Sequence, residues 1–210
     1  MPDLTKDAFG EIDSLREKAV EMLKHAQLMF RTCLDGFLKH DLNILKKVLK
    51  DETRITGIYN DLTAYAVEIA KKRLSKKASK EIHDLVNIIC AIERIGDSCV
   101  SLTERIEYKI QDNVLFSEKA VEEYRDLHNK IDKVLSGTIK AIMSRDKKSA
   151  KSVLKSSRSL HALGDKYRAT HIERSAKGLC DDWARIRYLD MVDFTEETLV
   201  HSEEILNRVR

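Results

Sequence analysis

Proline and glycine are almost absent from this chain. Of its 210 residues, one is Pro and seven are Gly, whereas charged residues make up 35% of the total. A high charge fraction with so few turn-forming residues is typical of long, solvated helices and argues against a sheet protein. The length suits one or two domains and is enough to bury a sizeable core.

Long apolar runs are missing as well. No run approaches the roughly 20 residues that span a bilayer, and the opening MPDLTKDAF has no apolar signal-peptide core. The four cysteines (Cys33, Cys90, Cys99 and Cys180) have no CxxC spacing and lie on or beside apolar helical stretches. They are typical of reduced, packed thiols, so we expect a soluble, cytoplasmic protein.

Charge of one sign is not in large excess either. The net charge is +3, the difference between 38 basic and 35 acidic residues. The basic residues gather in two clusters, 71–80 and 145–158, for which a solvated face is the ordinary interpretation. Contact with an anionic lipid surface or an acidic partner is the functional alternative. Nucleic acid is not expected, because only 6% of residues are aromatic and no recognised binding motif is present.

Apolar residues recur at spacings of three and four along the whole chain, which predicts amphipathic helices. Residues that favour helix starts interrupt the pattern at His40-Asp41, Ser79, Ser117, Asp146 and Gly178 followed by Asp181. We therefore predict six helices, near 4–38, 41–74, 79–111, 117–144, 146–177 and 181–208. Long helices with short connections form antiparallel bundles.

An internal repeat is also visible. Residues 41–50 (DLNILKKVLK) and 146–155 (DKKSAKSVLK) share an initial Asp and a KxVLK run, and each follows one long helix and precedes another. We predict a single domain, 1–210, made of two three-helix repeats, about 4–112 and about 113–210. The fold class is all-α, with the two repeats forming an elongated six-helix antiparallel bundle.

Two carboxylates stand beside the apolar stripe of the third predicted helix. Glu93 and Asp97 are four residues apart and so share a helix face, where their charges repel. A hard metal ion, a basic side chain such as Arg94, or water at the edge of the bundle would compensate them. On the second helix Glu52 falls in a gap of the apolar stripe, so we expect it to face the same region.

The run AIERIGDSCVSLTERI (91–106) resembles the ERIGDHA-type signature of PhoU-like proteins, which are helical regulators of phosphate uptake. The segment LFSEKAVEEYRDLHNKI (115–131) is similar to the opening of the second half of such domains, particularly those that follow the membrane regions of sodium–phosphate cotransporters. The resemblance covers nearly the whole chain. It implies metal ligands at Glu93, Asp97, Glu52 and Asp51, with Fe, Zn, Mn or Mg as the metal.

The second half departs from the family pattern. Glu196 takes the place of Glu93 and His201 keeps the family histidine, but Val200 replaces the Asp of the motif. Ser156-Ser157 replace the acids of the other helix. The resemblance therefore implies a metal site in repeat one and only a remnant, Glu196 and His201, in repeat two.

The function that the resemblance implies is regulatory and not enzymatic. We expect protein contact with a phosphate transporter or a phosphate-sensing protein, in the cytoplasm and at the inner face of the membrane, with a homodimer and peripheral membrane contact as further expectations. A detached cytosolic domain of a sodium–phosphate cotransporter is one alternative and a carboxylate-bridged metal enzyme another. The sequence has no HExxH, ExxH, GxSxG or Gly-rich phosphate loop, and we predict no catalytic residues.

Overall fold

The computed structural model describes residues 4–179 and 182–209, with the side chains of 4–8 left out. Within these residues the chain forms six α-helices and no strand, which confirms the predicted all-α class. The helices are α1 (Leu4–Lys39), α2 (Leu42–Ala70), α3 (Lys76–Gln111), α4 (Glu118–Ser144), α5 (Lys147–Ala176) and α6 (Asp182–Arg208). None of them is both long enough and apolar enough to cross a membrane.

Three predicted helix starts are confirmed by their capping bonds. The Asp41 carboxylate accepts a hydrogen bond from the backbone N–H of Asn43 at 2.8 Å, and Asp146 accepts from Lys148 at 2.8 Å. The Ser117 hydroxyl accepts from the N–H of Ala120 at 3.3 Å and caps α4. These side chains satisfy backbone donors that the first helical turn leaves without partners.

The predicted boundary between α2 and α3 is wrong by four residues. Helix α2 ends at Ala70, and Ser75 caps α3 by accepting from the N–H of Ala78 at 3.2 Å. Ser79 lies inside the first turn of α3, because the helix begins at Lys76 and the Ser75 side chain already accepts from a free backbone N–H of that turn. The predicted start at Asp181 lies outside the described residues.

Helices pack within each half of the chain and then across the two halves. Helices α1, α2 and α3 contact one another, as do α4, α5 and α6, and the α1–α4 and α3–α6 contacts join the two sets. One continuous apolar core runs through all of them. At 1.5 Å per residue, helices of 27 to 36 residues are about 40 to 54 Å long, so the bundle is elongated.

Buried polar side chains form contacts between helices, both across the two halves of the chain and within the second half. The His128 ring of α4 stacks on Phe30 of α1 at 3.7 Å, and its Nε2 donates to the Phe30 carbonyl at 2.9 Å. Burial lowers the pKa of His128 to about 3, so the ring is neutral in the core. The Tyr124 and Thr195 hydroxyls share a hydrogen bond at 3.1 Å between α4 and α6.

Gly137 lets α5 pack closely on α4. A side-chain Cβ at this position would lie 2.8 Å from a methyl of Val153, whose β-branched side chain has little rotameric freedom. Gly57 of α2 has nothing within 4 Å of the same point. The two glycines are therefore a matched pair, one at a helix contact and one in open space.

We expect Gly137→Leu to lower the free energy of unfolding by about 1 to 3 kcal/mol, because the added side chain overpacks the α4–α5 contact. The matched variant Gly57→Leu should be neutral or stabilising by up to about 1 kcal/mol, since leucine is the better helix former. Urea denaturation followed by circular dichroism measures both. Equal losses in the two variants would contradict the close contact.

Candidate functional site

The carboxylate pair lies at the edge of the buried face of α3. Glu93 is half-buried and Asp97 is exposed, and the residues above and below them, Cys90 and Val100, are half-buried too. The sequence left three ways to compensate the charges of this pair: a metal ion, a basic side chain or water. Because Asp97 is exposed, water reaches the pair directly. Arg94 forms its ion pair elsewhere, with Glu204 of α6 at 3.2 Å.

Glu52 of α2 faces the same region, as its place in the apolar stripe predicted. The pKa of Glu93 is raised by burial first and then by the charge of Asp97, with a further rise from Glu52 and an opposing effect of Arg94. The pKa of Asp97 is raised by burial and then by Glu52. Three carboxylates thus share one strip of the α2–α3 surface, and among the described residues none of them forms an ion pair with Lys or Arg.

Asp51 does not join this strip. Its charge is not among the causes that shift the pKa of Glu93 or Asp97, and its position is about 100° around α2 from that of Glu52. Tyr59 is closer to the site: its hydroxyl lies 3.9 Å from the Cys90 sulfur. We define the carboxylate strip as Glu52, Glu93 and Asp97.

Carboxylate oxygens are the donors that hard divalent cations prefer, so the chemistry of the carboxylate strip fits such an ion. Its geometry is looser, since no three His, Cys, Asp or Glu side chains of the described residues converge into a ligand group. The exposed Asp97 side chain would have to change its rotamer to bring the three carboxylates together around one ion. Metal ligation by Glu93, Asp97, Glu52 and Asp51 stays a prediction.

The second half holds its acid in a different way. Glu196 of α6 is only 9% exposed, and its carboxylate forms an ion pair with Arg168 of α5. The same guanidinium binds Asp193 at 2.6 Å. The pKa of Glu196 is raised chiefly by burial, and Arg168 opposes that rise. An internal cation therefore compensates the acid that corresponds in sequence to Glu93.

Gly164 makes room for this ion pair. A Cβ at that position would collide with the Glu196 carboxylate where it now lies, so a larger residue would displace the acid from α5. A glycine inside a helix, followed four residues later by an arginine on the same face, is the sequence signal of this ion pair, which the sequence analysis above did not predict. Two turns further along α6, Glu203 accepts from Ser157 at 2.5 Å and lies 3.3 Å from His161 Nε2.

His201 does not belong to the Glu196 site. Its Nδ1 lies 3.3 Å from Glu204, and its charge lowers the pKa of Asp97 on α3. Residues five apart on a helix point roughly 140° away from each other, so Glu196 and His201 face different neighbours. The structure separates the two predicted remnant residues and brings His201 to the carboxylate strip of the first half.

A model of the family described as the PhoU domain matches residues 19–106, which span most of α1 to α3. Over these residues the chain is similar to the PhoU domain. The matched segment contains all of the carboxylate strip. A search of curated proteins found no match.

Two solved structures show that the PhoU-like fold extends over the second half as well. PhoU from Pseudomonas aeruginosa superposes with a TM-score of 0.89 at 14% identity and covers 95% of both chains. The phosphate transport system regulatory protein PhoU from Streptococcus pneumoniae gives a TM-score of 0.87 at 11% identity, covering 96% of this chain and 94% of the other. At such low identity the likeness shows the fold alone.

Replacing Arg168 by glutamine should destabilise the chain in a pH-dependent way. Without the guanidinium, the already raised pKa of Glu196 rises further in the folded state, so stability falls as pH rises through that range. We expect little loss near pH 5 and a loss of about 1 to 3 kcal/mol near pH 8, measured by urea denaturation.

Arg158→Gln is the control, because Arg158 is an exposed arginine of the same helix. It should change the free energy of unfolding by less than about 0.5 kcal/mol at either pH. A loss in Arg168→Gln that is the same at both pH values would show that Arg168 acts through packing and not through its charge.

Proposed function

We propose that this chain is a non-enzymatic regulator of phosphate transport or phosphate signalling, and that it acts by contact with a phosphate transporter or a phosphate-sensing protein. The observation that supports this function is the PhoU-like fold, which extends over 95% of the chain in the superposition with PhoU from Pseudomonas aeruginosa. The relative from Streptococcus pneumoniae is a phosphate transport system regulatory protein. The same contacts would serve a chain joined to a sodium–phosphate cotransporter.

The arrangement of the acidic side chains favours a regulatory protein over a carboxylate-bridged metal enzyme. Such an enzyme needs several ligands that converge on its metal and leave an open position for substrate. Here one half presents a strip of three acids at the solvent edge, and the other half pairs its acid with Arg168. A cytoplasmic location at the inner face of the membrane, and a homodimer, are part of the same proposal.

We further infer that the carboxylate strip binds a divalent cation, with iron, zinc, manganese and magnesium as candidates. The support is electrostatic: Asp97 and Glu52 raise the pKa of Glu93, Glu52 raises the pKa of Asp97, and among the described residues no Lys or Arg side chain is paired with the three acids. A bound cation would remove this repulsion and tie α2 to α3. Occupancy would then stiffen the surface that meets the partner.

The cellular function is tested by removing the gene from cells that carry it. We expect phosphate uptake to lose its difference between low and high external phosphate, because the contact that restrains the transporter is absent. Affinity capture of the tagged chain from both conditions should recover a phosphate transporter or sensor. Unchanged uptake, together with no such partner in either condition, would contradict the proposal and favour a plain helical scaffold.

Cation binding is tested by thermal unfolding with added Mn²⁺, Fe²⁺, Zn²⁺ or Mg²⁺. A cation at a hundred times its dissociation constant should stabilise the native chain by about 2.7 kcal/mol. Glu93→Gln/Asp97→Asn should lose this shift, while its stability without metal is kept or raised, since like charges are removed.

The matched control is Glu118→Gln/Glu122→Gln, which changes two exposed acids at the same spacing on α4. It should keep the full shift with the cation. The inference fails if Glu93→Gln/Asp97→Asn responds to the cation as strongly as this control does.

A further inference from the structure

The small net charge of the chain conceals a strong separation of charge. The segments 71–80 and 144–158 together hold twelve of the 38 Lys and Arg residues but only one of the 35 Asp and Glu residues. These 25 residues therefore carry a charge of +11, and the remaining 185 carry −8. The net charge of +3 is the sum of these two values and does not reveal the uneven distribution of charge.

The fold brings the two segments to the same end of the bundle. One contains the α2–α3 connection and the other the α4–α5 connection, and a depression of about 230 Å³ is lined by Lys77 and Lys80 from the first and Arg145 from the second. All twelve side chains are exposed. We define the basic end by them: Lys71, Lys72, Arg73, Lys76, Lys77, Lys80, Arg145, Lys147, Lys148, Lys151, Lys155 and Arg158.

Acidic neighbours compensate only a part of the basic end. Glu68 pairs with Lys71 at 2.6 Å, Glu11 pairs with Lys72 at 2.5 Å, and Asp13 pairs with Arg145. The carboxylate of Asp146, within the second segment, is engaged in capping α5. Among the described residues, no ion pair is formed by the other nine cations of the basic end: Arg73, Lys76, Lys77, Lys80, Lys147, Lys148, Lys151, Lys155 and Arg158.

The residue types indicate what kind of partner fits. Nine of the twelve cations are lysines, and neither segment contains an aromatic residue. Lysine is a hydrated point charge, whereas bidentate recognition of single phosphates uses arginine, and binding of single-stranded nucleic acid adds aromatic stacking. A lysine-rich surface without aromatics fits a diffuse layer of negative charge, such as the headgroups of anionic lipids.

A groove beside α5 adds an apolar component. It has a volume of about 450 Å³, and four cations of the basic end (Lys147, Lys151, Lys155 and Arg158) surround it together with Leu154, Leu206 and Val209. Met143, which lines a separate depression together with Arg145 of the basic end, is 60% exposed. Lipids present anionic headgroups above apolar chains and match this combination, whereas a purely polar acidic peptide would leave the apolar floor uncovered.

We propose that the basic end binds the surface of an anionic phospholipid membrane. The bundle then contacts the membrane through this end alone, because anionic lipids repel the rest of the chain, which has a net charge of −8. This inference goes beyond the regulatory function proposed above, since it names the lipid surface itself as a partner and needs no transporter.

Sedimentation of the purified full chain with lipid vesicles tests the proposal. We expect binding to vesicles with about 30% phosphatidylglycerol in phosphatidylcholine and none to phosphatidylcholine alone. Binding should weaken as the ionic strength rises from about 0.1 M to about 0.5 M, because salt screens the attraction. Failure to bind the anionic vesicles, or equal binding to the neutral ones, would overturn the proposal and leave the basic end to an acidic protein partner.

Two triple variants separate the basic end from charge in general. Lys147→Gln/Lys148→Gln/Lys151→Gln should lower the partition coefficient by about tenfold or more. Lys46→Gln/Lys47→Gln/Lys50→Gln makes the same charge change at the same spacing on exposed lysines of α2 and should lower it less than about twofold. Equal losses in the two variants would overturn the proposal. Circular dichroism and thermal midpoints check that both variants remain folded.

Discussion

Helix α3 packs against α1, α2 and α6, and this packing joins the two halves of the chain. Helix α3 contributes its apolar face to the first three-helix unit and also forms the main contact with the second. Its edge is therefore the place where side chains of α2 and α6 meet those of α3. Glu52 from α2 and His201 from α6 both influence the pKa of Asp97, because one helix brings both neighbours to it.

The two halves solve the same electrostatic problem in different ways. In the second half a glycine opens space for a buried carboxylate, and an arginine of the same helix neutralises it inside the protein. In the first half three acids remain together at the solvent edge with no paired cation among the described residues. A permanent internal ion pair suits a structural role, whereas uncompensated acids leave a place for an exchangeable ion.

Charge is organised on the scale of the whole molecule as well. The acids that matter for the candidate site lie along the side of the bundle, while the excess of cations lies at one end. A regulator of transport must reach a membrane and also meet a protein partner. Separate surfaces for lipid and for protein would allow both of the proposed contacts at once.

Local spacing in the sequence was enough to predict the six helices and the shared helix face of Glu93 and Asp97. The caps at Asp41, Ser117 and Asp146 could be predicted too, because these side chains bond to the nearby backbone. Where two serines competed four residues apart, the local signal was ambiguous and the predicted start of α3 was wrong. Three relations became visible in the folded chain alone: Glu196 pairs with Arg168, His201 turns toward α3, and two basic segments more than 60 residues apart meet at one end. Those relations depend on how the helices are rotated and packed against one another, which no local pattern specifies.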